Sequence, residues 1–336
     1  MPVLEVKDLT VEYATARGPV HAATGVTFTL AEGDSMGLVG ESGCGKTTVA
    51  LSLMRVLADN ATIVRGHVWL DGVDLTELPE PVMAKQRWSK ISMVFQAAMN
   101  SLDPVHRVSD QIVEAIEFHE DVSRADAFAR ARSLFGAVGL DENMLRRYPH
   151  EYSGGMRQRA VIAMALACNP RVIVADEPTT ALDVLVQDRI LDQLREIQAR
   201  LRMAMIYISH DVAVIAEVTS TVGVMYAGRI VEKGPTRDVF VTPIHPYTEA
   251  LLGSVPSARG PKKPLRTLAG DPPDLISLPP GCPFAPRCPN ALERCRVEDP
   301  PMVGSEGHWA LCWNPVRPVE PVSPAAPVKT LTMTRE

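Results

Sequence analysis

Residues Gly40–Thr47 read GESGCGKT. They follow a short apolar run, Ser35–Val39, and they open Lys46–Leu57, where Val49, Leu53, Val56 and Leu57 recur at helical spacing. A strand, a glycine-rich turn with the spacing G-x-x-x-x-G-K-[ST], and then a helix together make a phosphate cradle. The glycines let the backbone curl until its N–H groups face phosphate oxygens, and the helix adds the partial positive charge of its N-terminus. The candidates for nucleotide contact are therefore Gly40, Glu41, Ser42, Gly43, Cys44, Gly45, Lys46, Thr47 and Thr48. Lys46 is expected on the β- and γ-phosphates, and the Thr47 hydroxyl on Mg2+. Cys44 puts a thiol in the loop, which would make the site sensitive to oxidation.

Working outward, Arg171–Asp176 (RVIVAD) is almost continuously apolar, as a strand buried on both faces should be. It ends in Asp176, expected to support Mg2+, and is followed by Glu177, expected to polarise the attacking water. Val3–Leu9, Val26–Leu30 and Met203–Ile208 read as further strands. Strands alternating with helices argue for an α/β fold with a mainly parallel sheet. Residues 98–158 are richer in helical pattern, for example Arg124–Val138, and read as a helical insertion between core segments 1–97 and 159–235.

The 336 residues allow about two domains and a sizeable core. A net charge of −6, from 34 basic and 40 acidic residues, argues against a nucleic-acid partner. No apolar run approaches the length of a membrane span, and MPVLEVKDLT lacks the basic-then-apolar pattern of a signal peptide.

Tyr152–Arg159 (YSGGMRQR) precedes the acidic strand, and with the phosphate loop it resembles the signature of ATP-binding cassette (ABC) proteins. Gln96, after the apolar run Ile91–Phe95, resembles the Q-loop glutamine. Ala181-Leu182-Asp183 resembles the D-loop, His210 in ISHD the switch histidine, and Tyr13 the aromatic residue that stacks on adenine. The resemblance implies a P-loop NTPase fold with a helical signature subdomain. It makes Glu177, His210 and Gln96 the catalytic set, and Thr47, Gln96 and Asp176 the Mg2+ set. Ser153, Gly154, Gly155 and Asp183 join the nucleotide contacts, the signature serving ATP held by an opposite subunit. Where relatives carry an acidic or polar residue and proline after the glutamine, this chain has Ala97-Ala98. The Met99–Pro104 stretch (MNSLDP) resembles the peptide-importer branch.

Beyond residue 235 lie 19 of the 28 prolines and four of the six cysteines. Cys282, Cys288, Cys295 and Cys312 are spaced C-x5-C-x6-C-x16-C, which points to a metal site without choosing the metal; zinc and no metal stay open. HPYTEALL (His245–Leu252), GCPFAPRCPNALERC and HWALC resemble the C-terminal region of dipeptide and oligopeptide importer ATPases. In that branch the motif implies a [4Fe-4S] cluster, with Phe284, Trp309 and Trp313 as its shield and His308 as a packing residue or alternative ligand. The extension is expected at 236–313 and a proline-rich, poorly ordered tail at 314–336.

The expected function is the ATP-hydrolysing subunit of an ABC importer at the cytoplasmic face of the inner membrane. Its partners would be a second, related ATPase chain, two transmembrane permease subunits and an extracytoplasmic substrate-binding protein. Another cargo, such as haem or a nickel complex, stays open, as does a soluble non-transport ABC ATPase.

Overall fold

The computed structural model describes residues 2–96, 101–180, 182–254, 268 and 270–319. The chain opens with β1 (Leu4–Thr15) and β2 (Gly18–Leu30), an antiparallel hairpin. Both strands run past the apolar cores Val3–Leu9 and Val26–Leu30, because their pairing continues through progressively more exposed outer halves to a turn at Thr15–Gly18. Next come β3 (Ser35–Val39), α1 (Lys46–Met54), β4 (Ala61–Leu70) and β5 (Val73–Asp74). The α1 helix stops three residues short of Leu57, where Arg55 takes a left-handed backbone (φ 50°) and its N–H closes on Leu51 and Ser52. Strands β2, β1, β4 and β5 form an antiparallel sheet beside the main one, which sequence periodicity did not reveal.

After α2 (Glu80–Gln86) and β6 (Ile91–Val94), the segment expected as a helical insertion holds α3 (Val108–His119), α4 (Arg124–Ala137) and α5 (Gly154–Ala165). Val108, Ile112, Val113 and Ile116 of α3 join Ala127, Ala131 and Phe135 of α4 in one buried cluster. The α5 helix runs through residue 158 and into the central body, so the two parts share a rigid element.

The main sheet is completed by β7 (Val172–Asp176), α6 (Val184–Leu201), β8 (Ala204–Ile208), α7 (Val212–Val218), β9 (Thr221–Tyr226) and β10 (Arg229–Pro235). Then follow α8 (Thr236–Val241), α9 (Pro246–Gly253), β11 (Met302–Gly304) and β12 (Trp309–Leu311). Among the described residues the order is β11-β12-β10-β9-β3-β8-β7-β6, parallel from β9 to β6 and antiparallel from β9 to β11. Register brings the strand ends level. Leu38 pairs with Ile208, Asp176 with Ile208, and Val94 with Ala175, so β3, β6, β7 and β8 end at one edge of the sheet.

The cysteine-bearing extension is joined to this sheet through β12, paired with β10. Glu232 of β10, fully buried, accepts hydrogen bonds from the Ile244 N–H (2.8 Å), the His245 N–H (2.9 Å) and His308 Nε2 (2.8 Å). One carboxylate thus ties two separate points of the extension, Ile244-His245 and His308, to the core. Proline spacing beyond residue 319 lies outside the described residues.

Glu232→Ala strands buried donors with no acceptor. It should lower unfolding free energy by roughly 3 kcal/mol or more in denaturant titration, whereas a change under about 1 kcal/mol would remove Glu232 as the anchor.

Candidate functional site

The shared edge of the sheet bears a cleft of about 260 Å3 lined by Ser42, Gly43, Gly45, Lys46, Thr47, Thr48, Gln96, Glu177 and His210, with Ala22 and Ile208. Gly45 sits at the N-cap of α1 with φ 104°, and a Cβ there would lie 2.1 Å from the Ala22 carbonyl oxygen, so only glycine fits. No side chain caps this helix, which leaves its first-turn N–H groups available at the cleft. Lys46, 7% exposed, folds back on its own loop: Nζ donates to the carbonyls of Gly40 (2.8 Å) and Glu41 (2.9 Å). Cys44 is buried, and burial pushes its thiol above the ordinary range against the pull of Lys46. The loop thiol is thus packed within the loop and not open to solvent.

Asp176 is 1% exposed, and neither carboxylate oxygen has a hydrogen-bond partner. Burial pushes its carboxyl up, while the Thr47 hydroxyl and Lys46 pull it down and Glu177 opposes them. A buried carboxylate with both oxygens free beside a hydroxyl fits a divalent cation, whose hard oxygen preference these groups meet.

Glu177 follows in a left-handed backbone (φ 48°), with its N–H donating to the Ile208 carbonyl at 2.8 Å. That turn aims the side chain into the cleft. Oε1 meets His210 Nδ1 at 3.0 Å; Oε2 accepts from Gln96 Nε2 at 3.0 Å and from the Thr180 hydroxyl at 2.9 Å. Burial works to raise the Glu177 carboxyl, but the bonds from His210 and Thr180, with Gln96, outweigh it and hold the group below its ordinary value. The three residues expected as a catalytic set thus form one hydrogen-bonded cluster with Glu177 at its centre. Thr180, a member of that cluster, had no motif to announce it.

Other expected contacts lie elsewhere. Tyr13 stands at the cleft's margin, its hydroxyl 3.4 Å from that of Thr48. The side chain of Glu41 turns away from the cleft toward the extension, and its N–H donates to the Tyr247 hydroxyl at 2.9 Å. Ser153 caps α5 by accepting from the Met156 N–H (3.3 Å), Gly154 begins that helix, and Gly155 abuts Val186 of α6. Asp183 caps α6 by accepting from the Val186 N–H (3.0 Å). None of Ser153, Gly154, Gly155 or Asp183 lines the chain's own phosphate cleft. Ala97, Ala98, Met99, Asn100 and Ala181 lie outside the described residues.

Cys282, Cys288, Cys295 and Cys312 all line one small cavity of about 10 Å3 with His245, Phe284 and Trp313. The thiols are free, and no three of their sulfurs lie within 4.8 Å of one another. Burial pushes Cys288 up to about 11 and Cys312 up to about 12. Trp309 sits instead on β12, away from this cavity, and His308 is engaged by Glu232.

Glu177→Gln keeps the size and one accepting oxygen but removes the base. It should bind ATP normally while ATP turnover falls by at least about 100-fold; near-normal turnover would take Glu177 out of the chemistry. Lys46→Ala should weaken nucleotide affinity itself, read by equilibrium binding, and an unchanged affinity would count against the cradle.

Comparison with known proteins agrees with this geometry. Residues 23–180 match the ABC transporter family model, and residues 231–295 match the model of the oligopeptide/dipeptide transporter C-terminal region. The chain is 45% identical to the oligopeptide transport ATP-binding protein OppD of Salmonella typhimurium, over 94% of each chain. It is 44% identical to the dipeptide transport ATP-binding protein DppD of Bacillus subtilis, over 93% of this chain and 94% of that one. Among solved structures, a dimeric ATP-binding cassette in a post-hydrolysis state with ADP and Pi superposes with a TM-score of 0.63 at 25% identity, covering 70% of this chain and 99% of that one. With the phosphate loop, the acidic strand end and the cysteine extension in one chain, the protein belongs to the ATP-binding subunits of ABC transporters, in the branch that carries the oligopeptide/dipeptide C-terminal region.

Proposed function

We propose that this chain hydrolyses ATP to drive uptake of dipeptides or oligopeptides through separate permease subunits. The cluster of Glu177, Gln96, His210 and Thr180 beside the phosphate loop carries the reading. Its resting state holds the base by both oxygens, so no water is activated without nucleotide. Bound ATP would draw Lys46 off the Gly40 and Glu41 carbonyls. His210, about two-thirds exposed, would leave Oε1 of Glu177 for the γ-phosphate. Glu177 is then free to accept a proton from water in line with that phosphate. Thr47, Gln96 and Asp176 are the residues to hold Mg2+, which supplies charge neutralisation on the phosphates.

A dimer is part of this reading. Ser153, Gly154 and Gly155 point to no partner in their own cleft, and Val184 and Leu185, at the start of α6, are 72% and 74% exposed. Small N–H donors at a helix start and an exposed apolar pair suit a second ATPase chain that receives them over its own ATP. Permease contact is supported on the other side of α3. There Trp88, His106, Phe118 and His119 line an open groove, with Phe118 70% exposed. Among the described residues no helix is long and apolar enough to cross a membrane, so translocation needs other chains. A substrate-binding protein outside the membrane would select the peptide.

The four cysteines would hold an iron–sulfur cluster. Zinc bound by the same four thiolates is the rival occupant. Four thiols gathered around one space beside Phe284 and Trp313 suit an iron–sulfur centre, and iron bonded to the thiolates would staple the loop-rich extension. Protein purified without oxygen should be brown and contain iron. Equimolar zinc without iron would replace the cluster, and absence of both would end the metal reading. Pull-down from membranes should recover permease chains, and recovery of ribosomal or DNA-bound material instead would overturn the transport role.

A further inference from the structure

Glu41, the second residue of the phosphate loop, uses its N–H and its carboxylate to link two distant parts of the chain. Its carbonyl accepts from Lys46 Nζ at 2.9 Å. Its N–H donates to the Tyr247 hydroxyl at 2.9 Å. Its carboxylate is gripped by both arms of Arg287, which donates through Nη1 to Oε2 at 2.7 Å and through Nη2 to Oε1 at 3.0 Å. Arg287 belongs to the short turn Ala285–Arg287, bracketed by Cys282 and Cys288, and its backbone joins directly to Cys288. Its side chain is only 5% exposed; it also reaches the Tyr226 hydroxyl at 3.3 Å and lies over that ring. Phe284, in the same cysteine loop and 1% exposed, packs edge-on against Tyr226 and Tyr247, with ring centroids 5.2 and 5.3 Å apart.

We propose that Arg287 is a positioning residue for the nucleotide: by neutralising and holding Glu41, it makes ATP binding and the arrangement of the four-cysteine loop one coupled equilibrium. The proposal rests on the cleft being the ATP site and not on which metal the cysteines hold. A fork-shaped bidentate pair fixes direction as well as charge. Without it, an unpaired carboxylate remains one residue from Ser42 in the cleft wall, repelling a polyphosphate, and the Lys46 acceptor on the same residue loses its anchor. Coupling of this kind is reciprocal. Whatever disorders the cysteine loop weakens ATP binding, and ATP binding tightens the loop by the same factor.

The test uses the full chain, a fluorescent ATP analogue with Mg2+, and the variants Arg287→Gln, Glu41→Gln and the double variant. Arg287→Gln should weaken nucleotide affinity by roughly fivefold or more, and adding Glu41→Gln should restore most of the loss, since it removes the stranded charge. Unchanged affinity in Arg287→Gln, or a loss that Glu41→Gln does not relieve, overturns the proposal; the latter is what a merely structural arginine would give. If Arg287→Gln does not fold, Arg287→Lys is read the same way: it keeps the charge and loses the fork, so a smaller loss is expected, and no loss overturns the role of the fork. A second readout is maleimide labelling of metal-stripped protein, located by mass spectrometry. Nucleotide should slow labelling of Cys282 and Cys288 in the parent chain and not in Arg287→Gln; equal rates with and without nucleotide overturn the coupling. A parent chain that binds no nucleotide at all would instead remove the ATPase reading, and iron content reports on the cluster separately.

Discussion

A carboxylate buried to 1% exposure with no hydrogen-bond partner for either oxygen is an expensive thing to fold around, and Asp176 is one. Taking an isolated charge from water costs several kcal/mol unless something compensates it. The architecture around it supplies part of that compensation. β8 lies between β3 and β7, and the register aligns their ends, so the phosphate loop leaves β3 beside the point where β7 delivers Asp176. Lys46 and Thr47 are the groups this brings within its influence. The remaining deficit is what a divalent cation with its polyphosphate would fill. A site built this way is stable in outline and incomplete in charge until its ligand arrives.

The same logic explains why Glu177 is so heavily engaged at rest. Its left-handed backbone is strained for a glutamate, and the bonds from His210, Gln96 and Thr180 hold it against that strain. Those residues come from the ends of β8 and β6 and from the turn after β7. A base shared among separate segments can be released only when something else engages them. That ties proton abstraction to nucleotide contact.

The extension beyond residue 235 is not an appendage. It extends the core sheet through β12 and is tied to β10 by Glu232, and its aromatic and arginine side chains close on the back of the phosphate loop. Glu41 shows how a loop residue can serve a ligand site while turned away from it. A phosphate loop whose second residue is held from behind has fewer conformations to lose when ATP binds.

Much of this was legible in the residues themselves. GESGCGKT between an apolar run and a helical pattern specified the cradle, because only that order of glycines, lysine and hydroxyl suits a phosphate at a helix start. RVIVAD followed by glutamate marked the acidic strand end for a similar reason: a fully buried strand is continuously apolar, so a terminal carboxylate stands out. The half-exposed strands β1, β2 and β4 were partly or wholly hidden, since their burial is set by a second sheet and not by local periodicity. What only the tertiary structure decided were the meetings of distant residues: Glu232 with His308, and Arg287 with Glu41 across 246 positions of chain. A sequence displays which groups are present and what local shape they favour. Which charge faces which across long separations is set by strand register and sheet order, and those exist only once the chain has folded.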